Sequence, residues 1–371
     1  MAELRKLTSR GEITPTRLTN VYHYGSFRGD PVELLETSFD AHVYEANWGS
    51  RTLMFGFPRT VVDLDVLKAF EVEAYSEYQD GLTVAVRGSR AILTLSSSDE
   101  DAGGWIDEED SARWLSSMVS LREAIVSGDF RALYLGWLAG ATLSLDSAED
   151  EDEDDPGNAG LVEPPVPPGL GQLTPALKTL VTFLRLDEAL VDVAAETSAP
   201  LQETRVSETA IRGWLARLPA IEKDDLLFRL IRGEARLGAE LVRRLRNDLV
   251  PQPTIAAVGG RRTASELLTR GQERAIERAQ QAKAEEGRKR AEYLDSLARR
   301  QPELWQQADW LADQKKARDY DESVTILADL HDLAQRQGAV SEYERRLTAF
   351  RERHARKPAL MDRLRTRRLI V

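Results

Sequence analysis

Glu149-Asp150-Glu151-Asp152-Glu153-Asp154-Asp155 is a run of seven consecutive acids, and Glu163-Pro164-Pro165-Val166-Pro167-Pro168-Gly169 follows close behind it. Seven adjacent like charges repel one another, and paired prolines remove backbone donors and fix an extended course. Together they predict an acidic, proline-rich linker over 146–172 that cuts the chain near its middle. Charge divides at about the same place. Residues 1–200 carry 15 Lys+Arg against 35 Asp+Glu, a net −20, whereas residues 201–371 carry 35 against 27, a net +8.

Upstream of that cut the pattern is mixed. Asp30 is placed to cap a short helix with Pro31 in its first turn and Glu33 near its positive end. His42–Ala46 and Thr52–Phe57 read as strands around the loop Asn47-Trp48-Gly49-Ser50. A two-turn helix over Asp63–Phe70 follows. Val72–Tyr78, Leu82–Arg87 and Ala91–Ser96 are then separated by the turn signals Gln79-Asp80-Gly81 and Gly88-Ser89-Arg90. Helical spacing begins at Trp114, Leu115, Met118, Leu121 and Ile125. Gly128 and Asp129 punctuate it before the apolar stretch from Phe130 to Leu145. The expectation is an α+β domain over 1–145, with an antiparallel sheet of about five strands and a helical hairpin.

Downstream, everything reads as helix. A helical domain is expected over 173–250, with Thr174 and Ser207 as caps and Pro219, Pro251 and Pro253 as punctuation. The region 251–371 starts with a capping box, Thr263 to Glu266, and a helix rich in Arg, Glu, Gln and Ala to about Arg300. A helix that polar is a spacer, a solvated strut or a weak coiled-coil arm. Helices marked by Leu304/Trp305, Leu327/Leu330 and Leu347/Phe350 close the chain, with Gly338 ending one and Pro358 opening the last.

The composition bounds the chemistry. The chain has 371 residues, 42% hydrophobic, with a net charge of −12. That is enough for two or three domains with real cores. There is no cysteine, so there are no disulfides, no thiol nucleophile and no thiolate metal site. Met1 to Lys6 lacks the apolar stretch of a signal peptide, and no segment reaches the ~20 apolar residues of a membrane helix. A soluble cytoplasmic protein is the expectation.

Catalytic signals are weak. Gly-x-Ser-x-Gly, Walker and Gly-x-Gly-x-x-Gly patterns are missing. Four histidines occur, His23, His42, His331 and His354. His23 and His42 with Asp40 are the one metal-site option, and ordinary core or surface histidines are the simpler reading. Gly259-Gly260 ahead of a helix reads as a hinge before a phosphate cradle. No cofactor and no metal are expected. The overlapping Pro-x-x-Pro frames from Pro164 to Pro168 read as a stiff spacer before a polyproline ligand.

Two surfaces are candidates for binding. Tyr22, His23, Tyr24 and Phe27, with Trp48, are aromatic-rich and suit contact with another protein. Arg261, Arg262, Arg288, Lys289, Arg290, Arg363, Arg365, Arg367 and Arg368 are basic clusters that suit nucleic acid. Glu and Asp interleave them, and 251–371 net only +6, from 25 basic and 19 acidic residues. The leading expectation is a non-enzymatic interaction or scaffold protein. A nucleic-acid-associated accessory protein comes second and a hydrolase with an unrecognised site third.

Several segments read together carry a resemblance. They are Tyr22-His23-Tyr24-Gly25-Ser26-Phe27-Arg28-Gly29-Asp30-Pro31, Phe39-Asp40-Ala41 to Trp48-Gly49, Gly128 to Leu138, and Glu163 to Leu170. Over most of its first 200 residues, and more loosely beyond, the chain resembles a group of uncharacterised bacterial proteins. The resemblance implies a bacterial cytoplasmic protein and brings no activity, cofactor or binding residue. The ending His354 to Leu364 is similar to helical tails of bacterial SWIM-type zinc-finger proteins, whose zinc ligands this cysteine-free chain lacks. That similarity implies at most a nucleic-acid-related setting.

Overall fold

A computed structural model describes residues 6–7, 12–14, 18–20, 27, 29–72, 81–99, 108–146, 161–201, 207–234, 237–249 and 262–370. The chain divides into two compact units between Ile276 and Glu277. The architecture is α+β at the N-terminus and all-helical towards the C-terminus, as the sequence pattern predicts.

The first unit is built on a four-stranded antiparallel sheet of β3 (Ala41–Glu45), β4 (Arg51–Pro58), β5 (Gly81–Arg87) and β6 (Arg90–Ser97), in the order β3-β4-β6-β5. A separate two-residue ribbon pairs β1 (Glu12–Ile13) with β2 (Leu18–Thr19). Side chains alternate across the sheet. Leu53, Leu95 and Leu82 form one row across three strands, and Phe55 and Leu93 form the next. That face meets the main core. Met54 and Ile92 point the other way, onto Leu35 of α1 (Pro31–Thr37). Asp30 caps α1, accepting from the Val32 N–H at 2.8 Å. The β3–β4 turn needs Gly49, whose φ is +98° and where a Cβ would lie 1.7 Å from the Asp99 carbonyl oxygen. After α2 (Leu64–Lys68) the expected strand Val72–Tyr78 lies almost wholly outside the described residues. Val72 itself donates to the Leu82 carbonyl at 3.3 Å.

Helices α3 (Glu108–Met118) and α4 (Ser120–Val126) lead to α5 (Arg131–Asp146). Helix α5 is buried on every side from Arg131 to Ala141. A helix apolar all round belongs in a core, and here two glycines let it approach the sheet. A Cβ on Gly136 would sit 2.2 Å from Leu95 Cδ2, and one on Gly140 would sit 3.1 Å from Gly81 Cα.

The far side of α5 is covered by the segment expected to be a linker. Over 161–172 this is a correction, while residues 147–160 lie outside the described ones. Glu163 is 4% exposed, and Pro164, Pro167 and Leu170 are buried too. The Tyr134 hydroxyl donates to Glu163. Arg262 grips the same carboxylate with two bonds of 2.8 and 2.6 Å, and also donates to the carbonyls of Val193 and Ala194 and to Thr197 Oγ1. Arg131 donates to the Gly169 and Gln172 carbonyls at 3.1 and 2.8 Å. Burial, then the charge of Glu163, raises the Tyr134 pKa well above its usual value. Burial works against the charge on Arg262, but its hydrogen bonds to Glu163 keep it raised overall. The prolines are therefore neither spacer nor exposed ligand. They lend rigidity to a strap that is tied by its backbone as well: Glu163 N–H donates to the Arg262 carbonyl, Gly169 N–H to the Ala199 carbonyl and Leu170 N–H to Ser198 Oγ, while the Pro167 carbonyl accepts from Ser198.

Helices α6 (Pro175–Phe183) and α7 (Glu188–Ala195) join that same core through Leu177, Leu180, Phe183, Leu190 and Val193. The helices expected as a separate domain over 173–250 are thus split. Three of them, α8 (Glu208–Arg217), α9 (Ala220–Ile231) and α10 (Leu237–Leu249), gather around their own small cluster of Trp214, Leu218 and Leu245.

Helix α11 (Ala264–Ala298) is the expected long polar helix, 35 residues, and the division between the units falls within it. Its capping box is formed reciprocally: Thr263 N–H to Glu266 at 2.8 Å and Glu266 N–H to Thr263 at 3.2 Å. In the second unit the end of α11 packs with α12 (Gln301–Asp313), α13 (Ala317–Gln337), α14 (Val340–His354) and α15 (Pro358–Thr366) around Trp305, Leu327, Leu330 and Phe350. Gly338 closes α13 at φ +68°. Among the described residues no helix is long and apolar enough to cross a membrane.

Candidate interaction surface

Helix α9 reads Ala220-Ile-Glu-Lys-Asp-Asp-Leu-Leu-Phe-Arg-Leu-Ile231. It buries none of its residues. Ile221 and Ile231 are 81% and 83% exposed, and Leu227, Phe228 and Leu230 are each more than half exposed. At 100° per residue, Ile221, Phe228, Ile231 and Leu227 fall in that order across an arc of about 120°, and Leu230 lies about 60° beyond it. Only Leu226 turns towards the Trp214 cluster.

The orientation has an identifiable cause, because three of the charged residues of α9, Glu222, Lys223 and Arg229, find their partners on its own neighbours. Arg229 pairs with Glu234 at 2.8 Å and with Glu240 of α10 at 2.7 Å. Glu222 pairs with Arg244 of α10. Lys223 donates to the Ala216 carbonyl at the end of α8 at 3.2 Å. Below, Trp214 Nε1 donates to Asp248 at 2.7 Å, and Arg244 lies over the Trp214 ring. The hydrogen bonds that Arg229 donates to Glu234 and Glu240 raise its pKa, and the one that Glu222 accepts from Arg244 lowers the Glu222 pKa. With Glu222, Lys223 and Arg229 tied to its neighbours, the helix shows most of its apolar side chains, together with Asp224 and Asp225, to solvent.

The residues singled out from sequence are placed differently. Tyr22, His23, Tyr24 and Arg261 lie outside the described residues. Phe27 is half-buried, and Trp48 is 55% exposed on the β3–β4 turn. Arg262 is half-buried and its guanidinium is taken up by Glu163 rather than left for a phosphate. Of the other basic candidates, Lys289 pairs with Glu285 at 2.8 Å and Arg288 with Glu292 at 3.9 Å. Arg290 bridges Asp329 and Asp332 at 2.6 Å each. Arg363 pairs with Asp321 at 2.6 Å and Arg365 with Asp362 at 2.8 Å. Arg367 and Arg368 are exposed just beyond α15.

Among the described residues the histidines do not make a site, and His23 lies outside them. His42 is largely buried and its Nδ1 has no hydrogen-bond partner; burial lowers its pKa to about 4. Asp40 is engaged by Arg90 and, at 3.7 Å, by Arg122. His331 stacks on Tyr343 with ring centroids 5.1 Å apart. His354, buried at the end of α14, contacts Asp309 at 2.9 Å through Nε2 and accepts from Lys357 at 2.8 Å through Nδ1. Lys357 also donates to the Ala312 carbonyl and to Asp313, so this cluster closes the C-terminus of α12. Among the described residues no group of three or more His, Asp or Glu could hold a metal ion.

No protein-family model, no curated protein and no solved structure matches the chain. The α9 surface was missed in the sequence, although a signal was there. Five of the six residues from Leu226 to Ile231 are apolar, and they spread over more of a helix than the small neighbouring cluster can cover.

Proposed function

We propose that this chain is a non-enzymatic protein-interaction module of the bacterial cytoplasm, and that α9 is its contact surface. One observation carries the reading: five large apolar side chains on one 12-residue helix face solvent, four of them, Ile221, Leu227, Phe228 and Ile231, on one side of it. Hydrophobic residues scattered singly on a surface are ordinary, whereas a contiguous patch marks an interaction site. An amphipathic helix presenting such a stripe is a recurring recognition element. The scaffold role fits a chain whose buried polar clusters each close a helix end or a core contact. The pairing of Arg262, Arg290, Arg363 and Arg365 with carboxylates counts against the nucleic-acid alternative.

The test is capture of partners from a bacterial lysate by the full chain, with nuclease present, for the native protein beside Phe228→Asp and Ile231→Asp. The expected result is a protein partner that survives nuclease and is lost with both variants. A partner set unchanged by the two variants removes α9 as the contact surface. Loss of every partner with nuclease alone moves the nucleic-acid reading to first place.

A further inference from the structure

The α9 stripe carries both signs of charge as well as its hydrophobes. Asp224 lies one turn before Phe228 and Arg232 one turn after it, so the three share one ridge of the helix. Asp224 is exposed and takes part in no ion pair among the described residues. Arg232 caps the helix in a right-handed helical conformation, with its guanidinium 5.6 Å from the Phe228 ring centre. It adds to the attraction on Glu234 without closing a salt bridge.

We infer that the occupant of this surface is α9 of a second copy, docked antiparallel about a two-fold axis at Phe228. This rests on the reading of α9 as a contact surface. A two-fold interface demands that one patch complement itself. Reversing α9 about Phe228 does this: Phe228 meets Phe228, and the Asp224 of each helix faces the Arg232 of the other. Leu227 and Ile231 extend the apolar contact along one flank. A ridge of one sign could not self-pair this way, because like charges would be brought together. Antiparallel helices also set opposite macrodipole ends side by side.

The contact is small. Twelve residues give a helix about 18 Å long, less than the ~800 Å² per partner of a standard interface requires. Association is therefore expected with a dissociation constant of roughly 10–100 µM.

The experiment is sedimentation equilibrium of the full chain across that concentration range, with far-UV circular dichroism to confirm that each variant is folded. The native chain is expected to shift from monomer to dimer, and Phe228→Asp to stay monomeric. Asp224→Arg and Arg232→Asp should each weaken the dimer by about 10-fold, as loss of ~1.4 kcal/mol implies. The double variant Asp224→Arg/Arg232→Asp, which restores the complementarity with the signs exchanged, should recover the native constant to within about 3-fold. A native chain that stays monomeric throughout overturns self-docking. It leaves the contact-surface reading to be judged by the lysate captures, where a different protein lost with Phe228→Asp would be the heterologous occupant. A dimer indifferent to Phe228→Asp overturns the placement on α9. Failure of the double variant to recover overturns the antiparallel register.

Discussion

Residues 161–170 carry a glutamate and four prolines, and much of that stretch is buried against α5. Helix α9 carries six large apolar side chains, and all but Leu226 face water. The difference lies in where each stretch finds its ionic partners. The Glu163 carboxylate has the fork of Arg262 and the hydroxyl of Tyr134 waiting inside, so charge and segment go in together. The ionic partners of Glu222 and Arg229 on α9, by contrast, sit on α10 and on the turn after α9, and Lys223 reaches a carbonyl of α8, so those charges turn to them and most of the apolar side chains are left over. Polarity alone does not decide burial in this molecule; the position of the complementary group does.

The comparison can be broken first at the strap. Glu163→Ala leaves the half-buried Arg262 without its anion, and removing one partner of a buried pair costs up to about 3–5 kcal/mol. Urea denaturation should show a loss of that size. Replacing both, Glu163→Leu with Arg262→Met, should cost less than either single change. A loss below about 1 kcal/mol in Glu163→Ala would mean that the prolines hold the strap unaided.

Second in size is a pH effect on the same unit. His42 is held near pKa 4 when folded, against 6.5 when free. The unfolded chain therefore binds the extra proton first. The stability tied to neutral His42 is intact above about pH 6.5 and drains away as pH falls towards 4, by up to about 3 kcal/mol. Denaturation midpoints of the native chain and His42→Gln, measured from pH 7 to 4, should converge as pH falls. Parallel curves would show that His42 stays neutral in both states or is solvated when folded.

Gly136→Ala tests the close contact under α5. Its Cβ would overlap Leu95 Cδ2, and the shift needed should cost about 1–3 kcal/mol. Thr263→Ala removes half of the capping box of α11 and should cost about 1 kcal/mol. At the small end, Phe228→Asp should change stability by no more than about 0.5 kcal/mol, because the side chain is already in water. A large loss from Phe228→Asp would erase the contrast between the two stretches.

The sequence was most legible where the physics is local. Asp30, Thr174, Ser207 and the Thr263–Glu266 box are all caps, formed by residues within a few positions of their partners. The loop Asn47-Trp48-Gly49-Ser50 between two apolar runs was likewise enough to place β4 over Thr52–Phe57. What stayed hidden was distant. Glu163 and Arg262 are 99 residues apart, and nothing in either neighbourhood announces the other. A proline run reads as a linker unless the groups that satisfy its carboxylate are known. For α9 the difficulty is of another kind: periodicity shows that an apolar stripe exists, not whether a neighbour covers it. Trp305 and Trp310 repeat the lesson on a single helix, since the first is buried and the second is exposed.

Helix α11 extends the point to motion. Ala264 and Leu267, near its start, belong to one hydrophobic core, and Leu294 and Leu297, near its end, belong to another. Between them the side chains from 276 to 289 are exposed, supported by local pairs such as Lys289–Glu285. Isolated helices fray from their tips, where the fewest hydrogen bonds must break. This one is pinned at its tips and bare in its middle. Amide hydrogen exchange along α11 should therefore run in the reverse of the usual order, slowest near both ends and fastest around its centre.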